Sequence, residues 1–294
     1  MKILLVALFA TAVFAHQEHP VSHTIVESIK QFGKWTPMEP HENPFYSKSV
    51  EDIKSMFGTY FDYADISTHD TEDYYGALPE NFDSREAFPG CVHAIRDQAQ
   101  CGSCWAFGSS EVLSDRFCIA GTDVVLSPQY QVSCDSSNLG CNGGNLGKAW
   151  NFLSKTGTVK DSACPYVSGK DGKVPACDSS LDTETHYKVK KNSVVHPLFQ
   201  NKIKKEIQTH GPMETGFVVY ADFMSYKSGV YEHVTGDALG GHAIKVVGWG
   251  KEDGKDYWLC ANSWGTKFGI DGFFKIKIGD CGINMMFYAG TPDV

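Results

Sequence analysis

The chain has 294 residues, of which 42% are hydrophobic and 21% charged, with a formal net charge of −9. That length gives one or two domains with a sizeable buried core. The acidic balance excludes the basic footprint of a nucleic-acid binder or of a protein that adheres to anionic membranes.

The chain opens on "MKILLVALFATAVFA": Lys2, an apolar run, and small residues ending at Ala15. This is the pattern of a secretory signal peptide over residues 1–15. No later stretch reaches the roughly 18 apolar residues of a membrane span. Secretory entry permits disulfides, and there are ten cysteines, at 91, 101, 104, 118, 134, 141, 164, 177, 260 and 281. Spacing alone does not fix their pairing. No N-x-S/T sequon occurs, so N-glycosylation is not expected.

Residues 16–77 carry no cysteine and end in the acidic, tyrosine-rich stretch "YFDYADISTHDTEDYYGA", which reads as a processing linker. One apolar-periodic segment stands out, "SVEDIKSMFGT". Val50, Ile53, Met56 and Phe57 share a helical face, and Ser49 with Asp52 three residues on gives an N-terminal cap.

From Leu78 the sequence becomes rich in Cys and Gly. A helix is predicted over 104–120, with Ala106, Ser110, Leu113 and Phe117 on one face and Gly121 as its stop. Ser127-Pro128 opens a second helix, and "GNLGKAWNFLSKTG" forms a third, ended by Gly157. After about Thr185 the character changes to strands: "ETGFVVY", "GGHAIKVVGWG", "KDYWLCANSW" and "DGFFKIKIG", with a turn at Asp253-Gly254. Helices first and strands second read as α+β in two lobes, over 78–185 and 186–294.

Cys101-Gly102-Ser103-Cys104 is a C-x-x-C, and three chemistries are open to it. A structural zinc site needs two such pairs or a His pair, and neither follows. A redox dithiol needs a thioredoxin-like βαβ surround, whereas "CVHAIRDQAQ" before Cys101 is loop-like. A nucleophile needs its thiolate favoured. Cys104 opens the predicted helix, where the backbone N–H groups and the helix dipole do this. A His, a group to orient it, and an oxyanion donor must then come from elsewhere in the chain.

With those needs stated, "QAQCGSCWAF" resembles the nucleophile segment of the papain family of cysteine proteases. "GGHAIKVVGWG" is similar to the family's His segment, "ANSWGTKFGIDGFF" to its Asn segment, and "CNGG" at Cys141–Gly144 to a fourth mark. The resemblance covers nearly all of Leu78–Val294. "LPENFDSRE", "YADFMSYKSGVYEHVTGDALGGHAI", "DCGINM", Trp35 and "MFGT" at Met56–Thr59 narrow it to cathepsin B-like members.

The resemblance implies a two-lobed papain-like fold, with a helical left lobe, a β-barrel-like right lobe, and the active site in the cleft between them. It implies a zymogen. Residues 16–77 would be an inhibitory propeptide running through the cleft near Phe57–Thr59 against the substrate direction, and cleavage near Gly76–Leu78 would release it. Cys104 would be the nucleophile and His242 its imidazolium partner. Asn262 would orient His242, and Trp264 would cover that pair. Gln98 would donate to the oxyanion. Gly143 and Gly144 would pair with the substrate backbone, and Leu146, Gly216, Gly241, Ala243 and Met286 would complete the substrate site. The other ten histidines would be solvated. Disulfides Cys91–Cys118 and Cys101–Cys141 are implied, with a third from Cys177 to Cys164 or Cys134. Cys260 and Cys281 would be free and buried.

No metal or cofactor is implied. The expected partners are protein and peptide substrates, the chain's own propeptide and cystatin-like inhibitors, with no nucleic acid and no membrane, and the protein is expected to be a monomer. A lysosome-like vesicle or the exterior would be its destination. A catalytically silent protease-fold binding protein is the alternative of a different class. Two departures matter. Cathepsin B carries an occluding loop with two adjacent histidines, whereas Cys164–Asp182 here is short and has none. Where cathepsin B has a Glu at the base of the pocket for the second residue before the scissile bond, this chain has Met286.

Overall fold

The structure is a computed structural model that describes residues 18–62, 64, 66–69, 71 and 76–294. The signal-peptide segment 1–15 and parts of the acidic linker lie outside the described residues.

Helix α1 (His23–Phe32) begins at Ser22, whose hydroxyl accepts from the Ile25 N–H, and ends at Gly33 with φ +63°. It is not among the elements predicted from the sequence. Its apolar stripe is only Ile25, Val26 and Ile29, and β-branched residues are weak helix formers, so burial against the following domain stabilises it. Strand β1 (Thr36–Pro37) pairs antiparallel with β4, Tyr226–Ser228. Beside it Trp35 packs between Tyr226 and Tyr231, and its indole N–H donates to the Glu232 carbonyl at 2.9 Å. Helix α2 (Val50–Lys54) has the predicted cap, with Ser49 and Asp52 bonding each other's backbone. It stops short of Met56 and Phe57, which begin an extended strap.

Strand β2 (Phe82–Asp83) and helix α3 (Ser84–Ala87) follow. Helix α4 (Cys104–Ile119) is buried on every side from Cys104 to Phe117, so the predicted apolar face is real but the opposite face is buried too. Ser109, Ser110 and Ser114 make this possible by donating to carbonyls one turn back, at 2.9, 2.6 and 2.6 Å. Helix α5 (Pro128–Cys134) is capped by Ser127, and α6 (Leu146–Lys155) by Asn145. Gly157, at φ +81°, turns the chain after α6.

The second half holds one unanticipated helix, α7 (Gln200–His210), whose buried apolar seam is Ile203 and Ile207. The remaining strands are β3 (Met213–Tyr220), β5 (Val230–Tyr231), β6 (Ala238–Glu252), β7 (Lys255–Ala261) and β8 (Phe273–Lys277). They form one sheet with β2, in the order β2-β6-β7-β8-β5, with β3 also on β6. All pairs are antiparallel except β5 with β8. Asp253 and Gly254, at φ +49° and +77°, make the β6–β7 hairpin. Among the described residues no pairing joins β5 back to β2 or β3. Strand β2 also crosses from the helical half to pair with Gly248 and Trp249.

Candidate active site

Cys104 is the first residue of α4 and is fully buried. The turn before it is fixed covalently, because Cys101 is bridged to Cys141. Cys91–Cys118 and Cys134–Cys177 complete the set, and Cys104, Cys164, Cys260 and Cys281 are free thiols. Of the two candidates for Cys177, the partner is therefore Cys134. Closing loops of 27, 40 and 43 residues restricts the unfolded chain by about 3.5–4 kcal/mol each in the chain-entropy account.

His242 lies on β6 opposite Phe217 of β3 and is fully buried. Its Nε2 donates to Asn262 Oδ1 at 2.7 Å, which fixes the tautomer and leaves Nδ1 as the acceptor. The Ser263 N–H also donates to Asn262 Oδ1 at 2.9 Å. The Trp264 ring stacks on the imidazole at 4.6 Å, with Phe57 and Phe217 edge-on at 6.2 and 6.0 Å. Gln98 comes to the same place because residues 96–98 run antiparallel to 263–265: the Gln98 N–H donates to Ser263 O and the Gly265 N–H to Arg96 O. The Gln98 side chain is held at both ends. Ser263 Oγ donates to its Oε1 at 2.7 Å, and its Nε2 donates to Cys101 O at 2.9 Å and Met56 O at 2.7 Å.

Met56 belongs to the strap, which runs on through the candidate substrate residues. The Thr59 N–H donates to Gly241 O, the Tyr60 N–H to Gly144 O, and the Gly144 N–H to Gly58 O, at 3.0, 2.9 and 2.8 Å. The Thr59–Gly144 pairing is parallel. The Tyr60 hydroxyl donates to the Asn142 carbonyl, and Phe61 covers Gly216 and Gly241. The Gly143 backbone, at φ +113°, lies against Gly58 and Tyr60. Leu146, Ala243 and Met286 are buried nearby on α6, β6 and the turn after β8.

The strap changes the electrostatics. Thr59 Oγ1 sits 3.2 Å from Cys104 Sγ. Burial raises the thiol pKa, with the Thr59 hydroxyl and the backbone N–H groups of Ala243 and Gly58 opposing it. Burial lowers His242 to about 4, against the Asn262 hydrogen bond. Burial thus disfavours the expected thiolate–imidazolium pair in the covered form, and His242 Nδ1 has no hydrogen-bond partner. The physical reason is desolvation, which penalises both charged forms at once.

Three further groups were not found from the sequence. Lys245, three residues after His242, is buried and reaches Asp115 of α4 at 2.7 Å and Glu111 at 3.6 Å. Burial opposes its charge, but the two carboxylates outweigh that and raise its pKa. This ion cluster ties the helix that starts at Cys104 to the strand that carries His242. Glu214, two residues before Gly216, accepts from Trp150 Nε1 at 2.7 Å, and burial pushes its pKa well up. Tyr166 bonds the Gln98 carbonyl and Ser103. A lone Lys, Glu or Tyr in a strand or loop carries no periodic signal.

The expectation that the other histidines are solvated holds for His23, His41, His69 and His210, which are exposed, and is corrected for five others. His93 bonds Asp115 at 2.7 Å and Asp123 at 3.0 Å, and the Asp115 bond raises its pKa. His19 reaches the Lys48 carbonyl, His186 the Thr156 carbonyl and His196 the Phe287 carbonyl, while His233 stacks on Tyr220. Cys281 is half-buried rather than buried. Among the described residues no group of three or more His, Cys, Asp or Glu could hold a metal ion, and no helix is long and apolar enough to cross a membrane.

A buried Cys at a helix start, a His–Asn pair under a Trp and a Gln held beside them define the class of cysteine proteases of the papain type. The sequence pattern of the papain family of cysteine proteases matches residues 78–291, and the chain belongs to that family.

Its relatives are cathepsin B-like. It is 44% identical over 225 residues to cathepsin B-like CP2 of Giardia intestinalis, covering 74% of this chain and 75% of that protein. It is 40% identical over 260 residues to a gut-specific cysteine proteinase of Caenorhabditis elegans, covering 78% of each. The solved structure of procathepsin B S9 from Trypanosoma congolense superposes with a TM-score of 0.85 at 31% identity, over 94% of this chain and all of that one. That share is too large to come from residues 78–294 alone, so the likeness to a proenzyme includes the strap-bearing segment.

Proposed function

We propose that the chain is the zymogen of a cysteine endopeptidase of the secretory route, held in a lysosome-like vesicle or released. Residues 1–15 are its signal peptide and 16–77 its inhibitory propeptide. Once the strap leaves, Cys104 and His242 regain water and each other, and the thiolate–imidazolium pair forms. The thiolate attacks the scissile carbonyl carbon, and Gln98 Nε2 with the Cys104 N–H takes the oxyanion. His242 protonates the leaving amine and a thioester remains. Water, giving its proton to His242, then attacks the thioester and expels the thiolate. Asn262 holds His242 in the tautomer this needs, and Trp264 keeps water from that bond.

The observation that carries this reading is the strap. A peptide carbonyl, that of Met56, already takes the Gln98 donor while Thr59 stands on the Cys104 sulfur. The parallel pairing with Gly144 supports a propeptide bound against the substrate direction.

Met286, Leu146, Gly216 and Ala243 make the pocket for the second residue before the scissile bond apolar. Burial disfavours a charge on Glu214, and Asp293 is exposed beside Lys188. Leu, Val or Phe is therefore preferred there over Arg. Cys164–Asp182, tied down by Cys134–Cys177, packs on residues 98–100 and Gly140, which favours an open primed side and no dipeptidyl carboxypeptidase activity.

The test is stoichiometric labelling of Cys104 by a peptidyl epoxide at acidic pH after propeptide removal. Rapid labelling is expected; none would sink the protease reading. Successive dipeptide release from a free C-terminus would overturn the endopeptidase assignment alone.

A further inference from the structure

The segment that aims Gln98 is strained. Ala99 is a non-glycine residue at φ +47°, a left-handed conformation that costs about 1 kcal/mol or more unless its surroundings enforce it. The Asp97 carboxylate accepts from the Ala99 N–H at 2.8 Å. Besides the bonds to Ser263, Cys101 and Met56, further restraints come from the loop after Cys164. The Tyr166 hydroxyl donates to Gln98 O at 2.8 Å, and Gly169 O accepts from the Gln100 N–H at 3.1 Å. The loop is itself held, because Gln129 Oε1 accepts from the N–H groups of Val167 and Ser168 at 2.9 and 3.0 Å.

Tyr166 also touches the other side of the site. Its oxygen lies 2.8 Å from Oγ of Ser103, the residue just before Cys104. A phenol has one proton, and here the Gln98 carbonyl takes it. The tyrosine oxygen therefore accepts from Ser103. One hydroxyl thus bonds the Gln98 main-chain carbonyl and the side chain of Ser103, the residue before the Cys104 N–H, and so touches both sides of the proposed oxyanion hole. Its ring is fixed edge-on to Phe107 of α4 at 4.7 Å. Burial raises its pKa, so it remains the neutral donor.

We infer that Tyr166 is a positioning residue for the oxyanion hole, and that the short loop in the place of an occluding loop serves to buttress the strained turn carrying Gln98. This rests on the reading of Gln98 as an oxyanion donor. Deleting such a donor typically costs about 10²–10³ in rate, and misaiming it costs part of that.

The test uses the mature protease released from the full chain. Tyr166→Phe keeps the ring and removes both bonds. Its kcat should fall about 5–20-fold with KM little changed. Affinity for a peptide aldehyde, whose hemithioacetal oxygen uses the same donors, should fall by the same factor. Alkylation of Cys104 by iodoacetamide, which forms no oxyanion, should keep its rate. In a Gln98→Ala background, Tyr166→Phe should cost clearly less than it does alone.

The inference is overturned if kcat is unchanged. It is also overturned if alkylation falls in step with kcat, or if Tyr166→Phe costs as much without Gln98 as with it. Should the unsubstituted protein neither alkylate rapidly nor cleave peptides, the protease reading falls and this one with it.

Discussion

Gly58 of the strap packs backbone to backbone on Gly102, and a Cβ placed there would meet Gly102 O at 1.8 Å and its carbonyl carbon at 2.4 Å. Its φ is outside the left-handed region, so alanine carries no backbone penalty and Gly58→Ala tests contact alone. An unstrained C···O contact is about 3.3 Å, so the strap must lift by roughly 1.5 Å. That takes the neighbouring hydrogen bonds, Gly144 N–H to Gly58 O and Gln98 Nε2 to Met56 O, now 2.8 and 2.7 Å, beyond bonding length. Two such bonds are worth together about 2 kcal/mol, or roughly 30-fold in the uncovered fraction. The assay is epoxide labelling of the intact zymogen at neutral pH, whose rate follows the uncovered fraction. Gly58→Ala should label about 30-fold faster, while the mature protease, which on the proposed boundary lacks residue 58, is unaffected. A labelling rate within twofold of the parent zymogen would refute the packing argument.

Met286→Glu should raise cleavage after Arg at the second position by roughly 10-fold or more, the worth of one charge-assisted pair; kcat/KM on paired Arg and Leu substrates measures it. Lys245→Met leaves Asp115 and Glu111 buried without their cation and should cost about 3–5 kcal/mol, seen as a Tm lowered by roughly 10 °C. Oxidising the mature protein should trap no Cys101–Cys104 bridge in peptide maps, because Cys101 is already joined to Cys141.

Features written in local chemistry were legible in the sequence. Ser49 with Asp52, Ser127-Pro128 and Asp253-Gly254 each announce a cap or turn by residue type, and each is found. The resemblance placed Gln98, His242 and Asn262, and the fold brings them together. Helices α1 and α7 were missed because three and two apolar positions respectively leave too narrow a stripe to register as a period. Helix α4 was found, but its total burial was not, since serine reads as polar until its hydroxyl finds a carbonyl one turn back. The Lys245 cluster and Tyr166 were illegible for a different reason. Their partners lie 130 residues away and 68 residues away, and only the folded chain puts them in register.

The charge state of the catalytic pair belongs to this second kind. The motif says that Cys104 and His242 meet, but not that the strap disfavours the charge on each. A strap that only blocked the cleft would leave a thiolate ready for any small electrophile that slipped past. Here the segment that blocks the cleft also removes the water that both ions need, raising the thiol and lowering the imidazole. Steric and electrostatic inhibition are then one event, because both depend on Gly58 and Thr59 lying flat on Gly102 and Cys104. Lifting the strap by little more than an ångström would admit water before it admits a substrate, so small alkylating agents should detect opening earlier than peptides do.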